Sequence, residues 1–222
     1  MADAEPPLAR GVRWLSTIRA TLAFCLLLCL VFAVELYVWH FVGFAPFVRL
    51  FVARQRPSVG WLLAPLAHAP EQWTHLVSNV GQLLVFGGIA ERRLRRERYV
   101  VFLAVSGLAT TAAQVTSYAV VGAAARGFGT FGASGIALAL AALVVVDSSR
   151  FRLATGRWYG EVTWVWALMG AFVVSRAFLD LFVAGSEVGV VGHLTGVLIG
   201  LSYGLVRSST AVVRPTEWTV ER

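Results

Sequence analysis

The sequence predicts an all-α, polytopic membrane protein, a bundle of six transmembrane helices, and three observations predict this fold class. Hydrophobic residues make up 58% of the 222 residues and charged residues 14%, whereas soluble domains are roughly half apolar and a quarter charged. Long apolar segments alternate with polar loops along the chain. The 19 cationic side chains are all arginines, and they cluster in alternate loops, as in proteins whose topology they set.

Each apolar segment is long enough, or nearly so, to cross a hydrocarbon core about 30 Å thick as a helix. An even number of crossings places both chain ends on one side of the membrane. We therefore expect an N-terminal segment at 1–15, a membrane domain at 16–207 and a C-terminal tail at 208–222. The loop at 44–72 is itself apolar and is expected to lie in the membrane interface. The six predicted spans are 16–43, 73–90, 98–121, 132–147, 162–184 and 187–207.

The apolar stretch of the first span follows Arg10, Arg13 and Arg19, so residues 10–40 could be a signal peptide. No small-residue cleavage site closes it, however, and further apolar segments follow, so we interpret it as a retained span. Arginines concentrate in the N-terminal segment, in the 91–98 and 147–161 loops and in the C-terminal tail. The positive-inside rule then predicts that these loops and both termini are cytoplasmic. The net charge of +7 is explained by these arginines, and we expect no nucleic-acid partner.

The fourth span is shorter than the others, which predicts a depression on the external face. From Ala133 to Val146 the residues are apolar or small, and Asp147 begins the cytoplasmic end. As a helix they cover about 21 Å of a core about 30 Å thick. The glycine-rich stretch before them must then lie below the external surface, where irregular backbone persists only if protein covers it or water reaches it. Ser134 is thus expected at the floor of a water-accessible cavity.

Four polar side chains of the predicted spans fall in this same membrane layer. Ser134 begins the fourth span, His193 lies about 8 Å inside the sixth, and His75 and Asn79 share one face near the external end of the second. Singly, such residues are explained by bonds to their own or a neighbouring helix. Together they supply a nucleophile, a base that can take its proton, and donors for an oxyanion.

Glycines accompany these residues at positions that favour close helix packing. Gly196 and Gly200 follow the sixth-span histidine on its own helix face as G-x-x-x-G, a spacing that lets another membrane helix approach closely. Gly132 and Gly135 flank Ser134 and leave room both for a substrate carbonyl and for that approach. We therefore expect the fourth and sixth spans to pack directly against each other.

Three motifs in this order resemble those of the rhomboid family of intramembrane serine proteases. "HLVSN" at 75–79 is similar to the family's H-x-x-x-N on the second helix. "GASG" at 132–135 is similar to its G-x-S-G on the fourth helix, and "GHLTGVLIG" at 192–200 to its G-H-x-x-G-x-x-x-G on the sixth. The resemblance covers most of the chain, about 60–207.

The resemblance implies a catalytic dyad of Ser134 and His193 without a third carboxylate. It assigns His75 and Asn79 to an oxyanion hole, together with the backbone amide of Ser134. It also implies that the fifth helix and the short 185–187 loop gate the lateral entry of a substrate helix.

The sequence departs from the family pattern at three positions. Leu62 follows Trp61 where the family often has an arginine, and Leu138 stands four residues after the serine, where many members have a tyrosine stacked on the histidine. His68 resembles a further family histidine, but it precedes His75 by seven positions instead of the usual five. His68 is therefore left out of the expected site.

The expected function is intramembrane serine endopeptidase activity near the external membrane face, without a cofactor or a metal. The expected partners are the lipid bilayer and substrates with a transmembrane helix, and the small, lysine-free plan is compatible with a prokaryotic plasma membrane. One alternative is a non-proteolytic rhomboid-like protein that binds or escorts membrane clients, although such proteins usually lack the serine or the histidine. Another is a small transporter, which favours midplane charges or repeat symmetry, and the sequence has neither.

Overall fold

Apolar segments of this length form helices because a chain inside a membrane must satisfy its backbone hydrogen bonds internally. The computed structural model describes residues 14–122, 127–155, 163–183 and 189–208, and these are nearly all helical. A π-helical turn extends the first helix and another joins α4 to α5. The helices are α1 (Arg19–Tyr37), α2 (Phe44–Phe51), α3 (Gly60–Leu63), α4 (Trp73–Gln82), α5 (Gly88–Arg93), α6 (Arg96–Val120), α7 (Ser134–Thr155), α8 (Thr163–Val183) and α9 (Val190–Ser208).

The predicted all-α membrane bundle is confirmed. Among the residues that the structure describes, three helical segments are long and apolar enough to cross a membrane, namely Arg19–Val42, Arg96–Val120 and Val190–Arg207. Within the described ranges, two more helices are apolar over shorter stretches, Ser134–Ser149 and Trp164–Leu179. The second predicted span consists of α4, the π-helical turn and α5.

The fourth span differs from the prediction at its cytoplasmic end. The helix α7 does not stop near 147 but continues to Thr155. Asp147 lies inside the helix, and its carboxylate accepts a 2.8 Å hydrogen bond from Nη1 of Arg207 on the last turn of α9. The apolar part of α7 remains short, Ser134–Ser149. The depth argument for Ser134 therefore depends on the apolar stretch and not on the length of the helix.

The start of α1 is attached to the end of the second span by one carboxylate. Glu91 accepts hydrogen bonds from the backbone N–H groups of Ala20 (2.8 Å) and Thr21 (2.7 Å) and from the Thr21 hydroxyl. The first N–H groups of a helix have no acceptor within it, so this carboxylate satisfies them. The Tyr99 hydroxyl, on α6, lies 2.8 Å from the Thr21 oxygen. The contacts join three helices at one end of the bundle.

The centre of the bundle is α7, whose residues 136–144 are all buried. A helix that is apolar on every side is covered on every side, and α7 packs most extensively against α9. A Cβ at Gly196 would collide with the carbonyl oxygen of Gly135, and one at Gly200 with that of Ala139. Only glycine permits this approach of the two backbones.

The 44–72 loop folds back towards the start of α7. The helix α2 buries Phe47 and Phe51, and the chain then extends beside residue 130. Ala53 and Thr130 exchange two backbone hydrogen bonds of 2.9 Å each. This bridge ties the loop to the segment that leads into Ser134.

Candidate active site

The first residue of α7 and the first turn of α9 place a serine and a histidine side by side. Ser134 Oγ lies 2.8 Å from His193 Nε2, although the two residues are 59 positions apart in the chain. Their contact follows from the glycine-mediated packing of α7 on α9. A hydroxyl at this distance from an imidazole nitrogen can transfer its proton to that nitrogen during attack on a carbonyl.

The backbone before Ser134 is shaped by Gly132. Its φ of +127° is one that L side chains rarely adopt, and its N–H donates to the carbonyl of Ala64 over 2.8 Å. A Cβ here would lie 3.5 Å from His75 Cε1 and 3.7 Å from Ser134 Oγ, so a side chain would enter the space between them. Ser134 itself belongs to the first turn of α7, where backbone N–H groups point out of the helix and attract negative charge.

A cavity of about 380 Å³ opens over the serine and the histidine. Its wall is unusually polar for a membrane bundle, because threonines, an imidazole and a glutamine side chain lie among small residues. A polar cavity of this size accommodates water. The lining includes Gln72, His75, Thr110, Thr111, Thr130, Gly132, Ser134, Gly135 and His193.

The two expected oxyanion residues occupy different places in the site. His75 lines the cavity, whereas Asn79 is buried one turn further along α4 and is not part of the described lining. Asn79 Nδ2 donates a 2.9 Å hydrogen bond to His68 Nε2. The rings of His68 and His75 meet edge to face, with centroids 5.4 Å apart. The structure thus brings Ser134, His193 and His75 together directly, and Asn79 through His68.

Comparison with protein families identifies the bundle. Residues 56–210, which are more than half of the chain, match the Rhomboid domain. The chain belongs to the rhomboid family. Rhomboids are integral membrane proteins and commonly intramembrane serine proteases, and the family includes inactive members. A search among curated proteins gave no match.

His68 of this rhomboid contacts the site even though its spacing excluded it from the expected set. Its Nδ1–H donates to the carbonyl of Leu66 (3.2 Å), which leaves Nε2 as the acceptor for Asn79. Its backbone N–H donates to both carboxylate oxygens of Glu35, each 3.0 Å away. Burial lowers the pKa of the His68 imidazole to about 4, so the ring is neutral at neutral pH.

Gln114 is a second residue that the sequence argument missed. It is buried on α6, and its Oε1 accepts a 2.8 Å hydrogen bond from the N–H of Gly192, the residue before His193. That N–H belongs to the first turn of α9, which has no acceptor within the helix. The available signal was the polar set Thr110, Thr111 and Gln114 inside a predicted membrane span, since such groups usually face a cavity or a partner.

The structure also shows the surroundings of the residues at which the sequence departs from the family pattern. Leu138 is buried between α7 and α9, where it packs with Val197. The Trp61 indole N–H donates to the carbonyl of Arg54 over 2.8 Å, and Leu62 is 67% exposed. Trp61 therefore stabilises the 44–72 loop, whereas Leu62 faces the surroundings of the bundle.

Proposed function

We propose that this rhomboid is an intramembrane serine endopeptidase that cleaves proteins anchored by a transmembrane helix. The observation that carries the proposal is the 2.8 Å contact between Ser134 Oγ and His193 Nε2 at a polar cavity. Hydrolysis inside a bilayer needs water that the hydrocarbon core lacks. A cavity lined by hydroxyls and imidazole supplies a place for it.

In the acylation step, Ser134 Oγ attacks the carbonyl carbon of the scissile peptide bond while His193 Nε2 accepts the hydroxyl proton. The carbonyl π electrons move to oxygen and form a tetrahedral oxyanion. When this intermediate collapses, the C–N bond breaks and the imidazolium gives its proton to the leaving amine. Water then attacks the acyl-enzyme with His193 again as the base, which releases the new carboxyl group and regenerates the serine.

Three groups are proposed to stabilise the oxyanion: the backbone N–H of Ser134, the ring of His75 and the amide of Asn79. The first two border the cavity. Asn79 carries two amide hydrogens, and one of them is bonded to His68. That bond fixes the plane of the amide, and we propose that the second hydrogen is directed to the oxyanion. Removing one such donor typically slows turnover about 10²–10³-fold.

The proposed topology places this cavity on the external side of a prokaryotic plasma membrane. Ser134 and His193 lie at the amino ends of α7 and α9. Arg207, at the other end of α9, donates to the carbonyl of Arg93, the last residue of α5 in the arginine-rich segment 91–98. Both termini are then cytoplasmic by the positive-inside rule. Nearly all of the 1–15 segment and of the 208–222 tail lies outside the described residues. The 185–187 loop, which is expected to admit the substrate helix, also lies outside them.

The test uses the full-length wild type, Ser134→Ala and His193→Ala, each reconstituted in liposomes with a generic single-span substrate. We expect the wild type to release a discrete product and each variant to be slower by at least about 10³-fold, because the dyad acts as a unit. Equal cleavage by all three proteins would exclude this dyad. No cleavage by the wild type across several substrates would exclude the protease.

A fluorophosphonate probe gives an independent measurement. We expect it to label the wild type at Ser134 and not to label Ser134→Ala. Ser117→Ala is the matched control, because Ser117 is a serine of α6 whose hydroxyl donates to its own helix at the carbonyl of Gln114, and it should label as the wild type does. A wild type that neither labels nor cleaves, yet retains membrane proteins on purification, would favour the client-binding alternative.

A further inference from the structure

A second cavity, of about 610 Å³, lies beside α2 and shares no lining residue with the cavity over Ser134. Three exposed guanidinium groups border it, those of Arg49, Arg54 and Arg56. Its described lining contains no carboxylate to balance them. The cavity therefore presents a concentrated positive charge to whatever occupies it.

One of the three arginines, Arg54, is held in place by contacts with the segment before α7. Nη2 of Arg54 donates to the carbonyl of Gly127 over 3.1 Å. The Arg54 side chain also packs on Gly129, since a Cβ at Gly129 would lie only 2.9 Å from Arg54 Cγ. The preceding residue, Ala53, is fixed by its bridge to Thr130. A guanidinium that uses one N–H in this way still has others for an anionic oxygen.

Besides the arginines, the lining has two polar residues, Gln55 and Ser58, and is otherwise apolar. The apolar side chains come from α2, from the residue after it and from the segment before α7, and they indicate what kind of anion fits. Just before this cavity the chain exposes further large apolar side chains, Phe41 and Val42, which in a membrane protein lie at the level of lipid. The apolar lining residues are Phe44, Ala45, Val48, Val52 and Phe128.

The cavity also lies at the membrane face where arginines are otherwise sparse. The Ala53–Thr130 bridge places it at the amino end of α7, on the Ser134 side, opposite the arginine-rich 91–98 loop. Arginines on the arginine-poor face run against the usual topology bias, so three of them at one cavity need another explanation. Guanidinium groups bind phosphate oxygens in pairs, and basic pockets beside membrane helices bind lipid head groups.

We propose that this cavity binds the phosphate of an anionic phospholipid in the leaflet on the Ser134 side. Arg49, Arg54 and Arg56 contact the phosphate, and the acyl chains lie along Phe44 and Val48. The proposal does not depend on proteolytic activity, because it concerns a separate cavity and is measured by binding.

The test uses the full-length protein in vesicles of phosphatidylcholine that carry a trace of photoactivatable phosphatidylglycerol or photoactivatable phosphatidylcholine with the same acyl chains. We expect phosphatidylglycerol to label peptides covering 44–58 at least about fivefold more than phosphatidylcholine does. The double variant R49Q/R56Q keeps the Arg54 contact with Gly127 and should lose most of that preference. The triple variant R49Q/R54Q/R56Q should lose all of it.

The matched control is R95Q/R96Q/R98Q, which removes three exposed arginines of the opposite face and should leave labelling of 44–58 unchanged. Equal labelling by the two lipids in the wild type would overturn the proposal, as would an undiminished preference in R49Q/R56Q with an unchanged melting temperature. Displacement by inorganic phosphate, but not by chloride of matched ionic strength, would assign the cavity to free anions instead. Displacement by a single-span peptide with an acidic flank would assign it to substrates.

Discussion

His68 shows how one buried imidazole in a loop orients an amide on a helix, Asn79 on α4. The Leu66 carbonyl can only accept a hydrogen bond, so it places the imidazole hydrogen on Nδ1 and makes Nε2 the acceptor for Asn79. The contact of His68 with Glu35 uses the backbone N–H. A substitution of the side chain therefore removes the bond to Asn79 and leaves the bond to Glu35.

This separation leads to a prediction about catalysis. In His68→Ala the Asn79 amide loses its orienting partner, so we expect kcat for a single-span substrate to fall about 10–100-fold, as for other residues that orient a catalytic group. His40→Ala is the control, since His40 is exposed and its ring bonds to the carbonyl of Leu36, four residues earlier in the chain. An unchanged kcat in His68→Ala would remove Asn79 orientation from the mechanism.

The lowered pKa of His68 also makes stability depend on pH. Burial shifts the pKa of His68 from its ordinary 6.5 to about 4, so between these values the unfolded chain binds a proton that the folded chain does not. The stability contributed by the neutral ring is fully present above the unfolded pKa and is lost as the pH falls towards the folded value. We expect the melting temperature of the wild type to fall more than that of His68→Gln between neutral pH and about pH 4. Equal falls in the melting temperatures of the two proteins would contradict the lowered pKa of His68.

At the scale of elements, the position of His193 depends on how α9 begins. Gln114 on α6 accepts the N–H of Gly192, and α7 approaches α9 through glycines. Both interactions act on backbone and neither touches the reacting atoms. They set the distance and angle at which the histidine faces the serine.

Loss of the Gln114 contact should be seen in turnover. In Gln114→Leu the Gly192 N–H is left buried without that acceptor, which costs about 1–3 kcal/mol and allows the start of α9 to shift. We expect kcat to fall about tenfold, since a small displacement of a catalytic group is costly. Gln82→Leu is the control, because Gln82 bonds only to Ser78 on its own helix in the described contacts. A wild-type kcat in Gln114→Leu would exclude the positioning effect.

The glycine contact between α7 and α9 can be tested by a single methyl group. Gly196→Ala forces its Cβ against the carbonyl of Gly135, so the helices must separate; we expect a loss of about 1–3 kcal/mol of unfolding free energy together with loss of cleavage. Gly81→Ala is the matched control, as a Cβ there meets nothing within 4 Å, and the change should be neutral or slightly stabilising. Equal melting temperatures for the two variants would contradict the packing.

At the scale of the whole molecule, the two ends of the bundle differ in chemistry. One end carries the polar cavity over Ser134 and the arginine cavity beside α2. The other end carries the ion pair between Arg207 and Asp147 and the arginine-rich segment 91–98, which joins the end of α5 to the start of α6. From this asymmetry the positive-inside rule predicts that the arginine-rich end faces the cytoplasm.

The orientation gives a prediction for reporter fusions. We expect green fluorescent protein fused to either terminus to fluoresce, and alkaline phosphatase fused there to be inactive, because both termini are proposed to be cytoplasmic. Fusion of the phosphatase after residue 122 should give an active enzyme. An active phosphatase at a terminus would reverse the proposed topology and place the arginine cavity in the other leaflet.

The sequence by itself determined the all-α membrane bundle and the family, because apolar length and the three motifs are local properties of the chain. It also singled out Ser134 and His193, since polar groups at one membrane depth are recognisable from position along a helix. It failed where an interaction joins distant segments. The roles of His68 and Gln114 rest on hydrogen bonds to partners 11 and 78 positions away.

Only the tertiary structure decided these contacts, because each needs two segments that are distant along the chain to come within hydrogen-bond distance. The approach of α7 to α9 depends on where glycines meet carbonyls. The partner of Asp147 is an arginine 60 positions later. The arginine cavity beside α2 likewise exists only once the 44–72 loop has paired with the segment before Ser134.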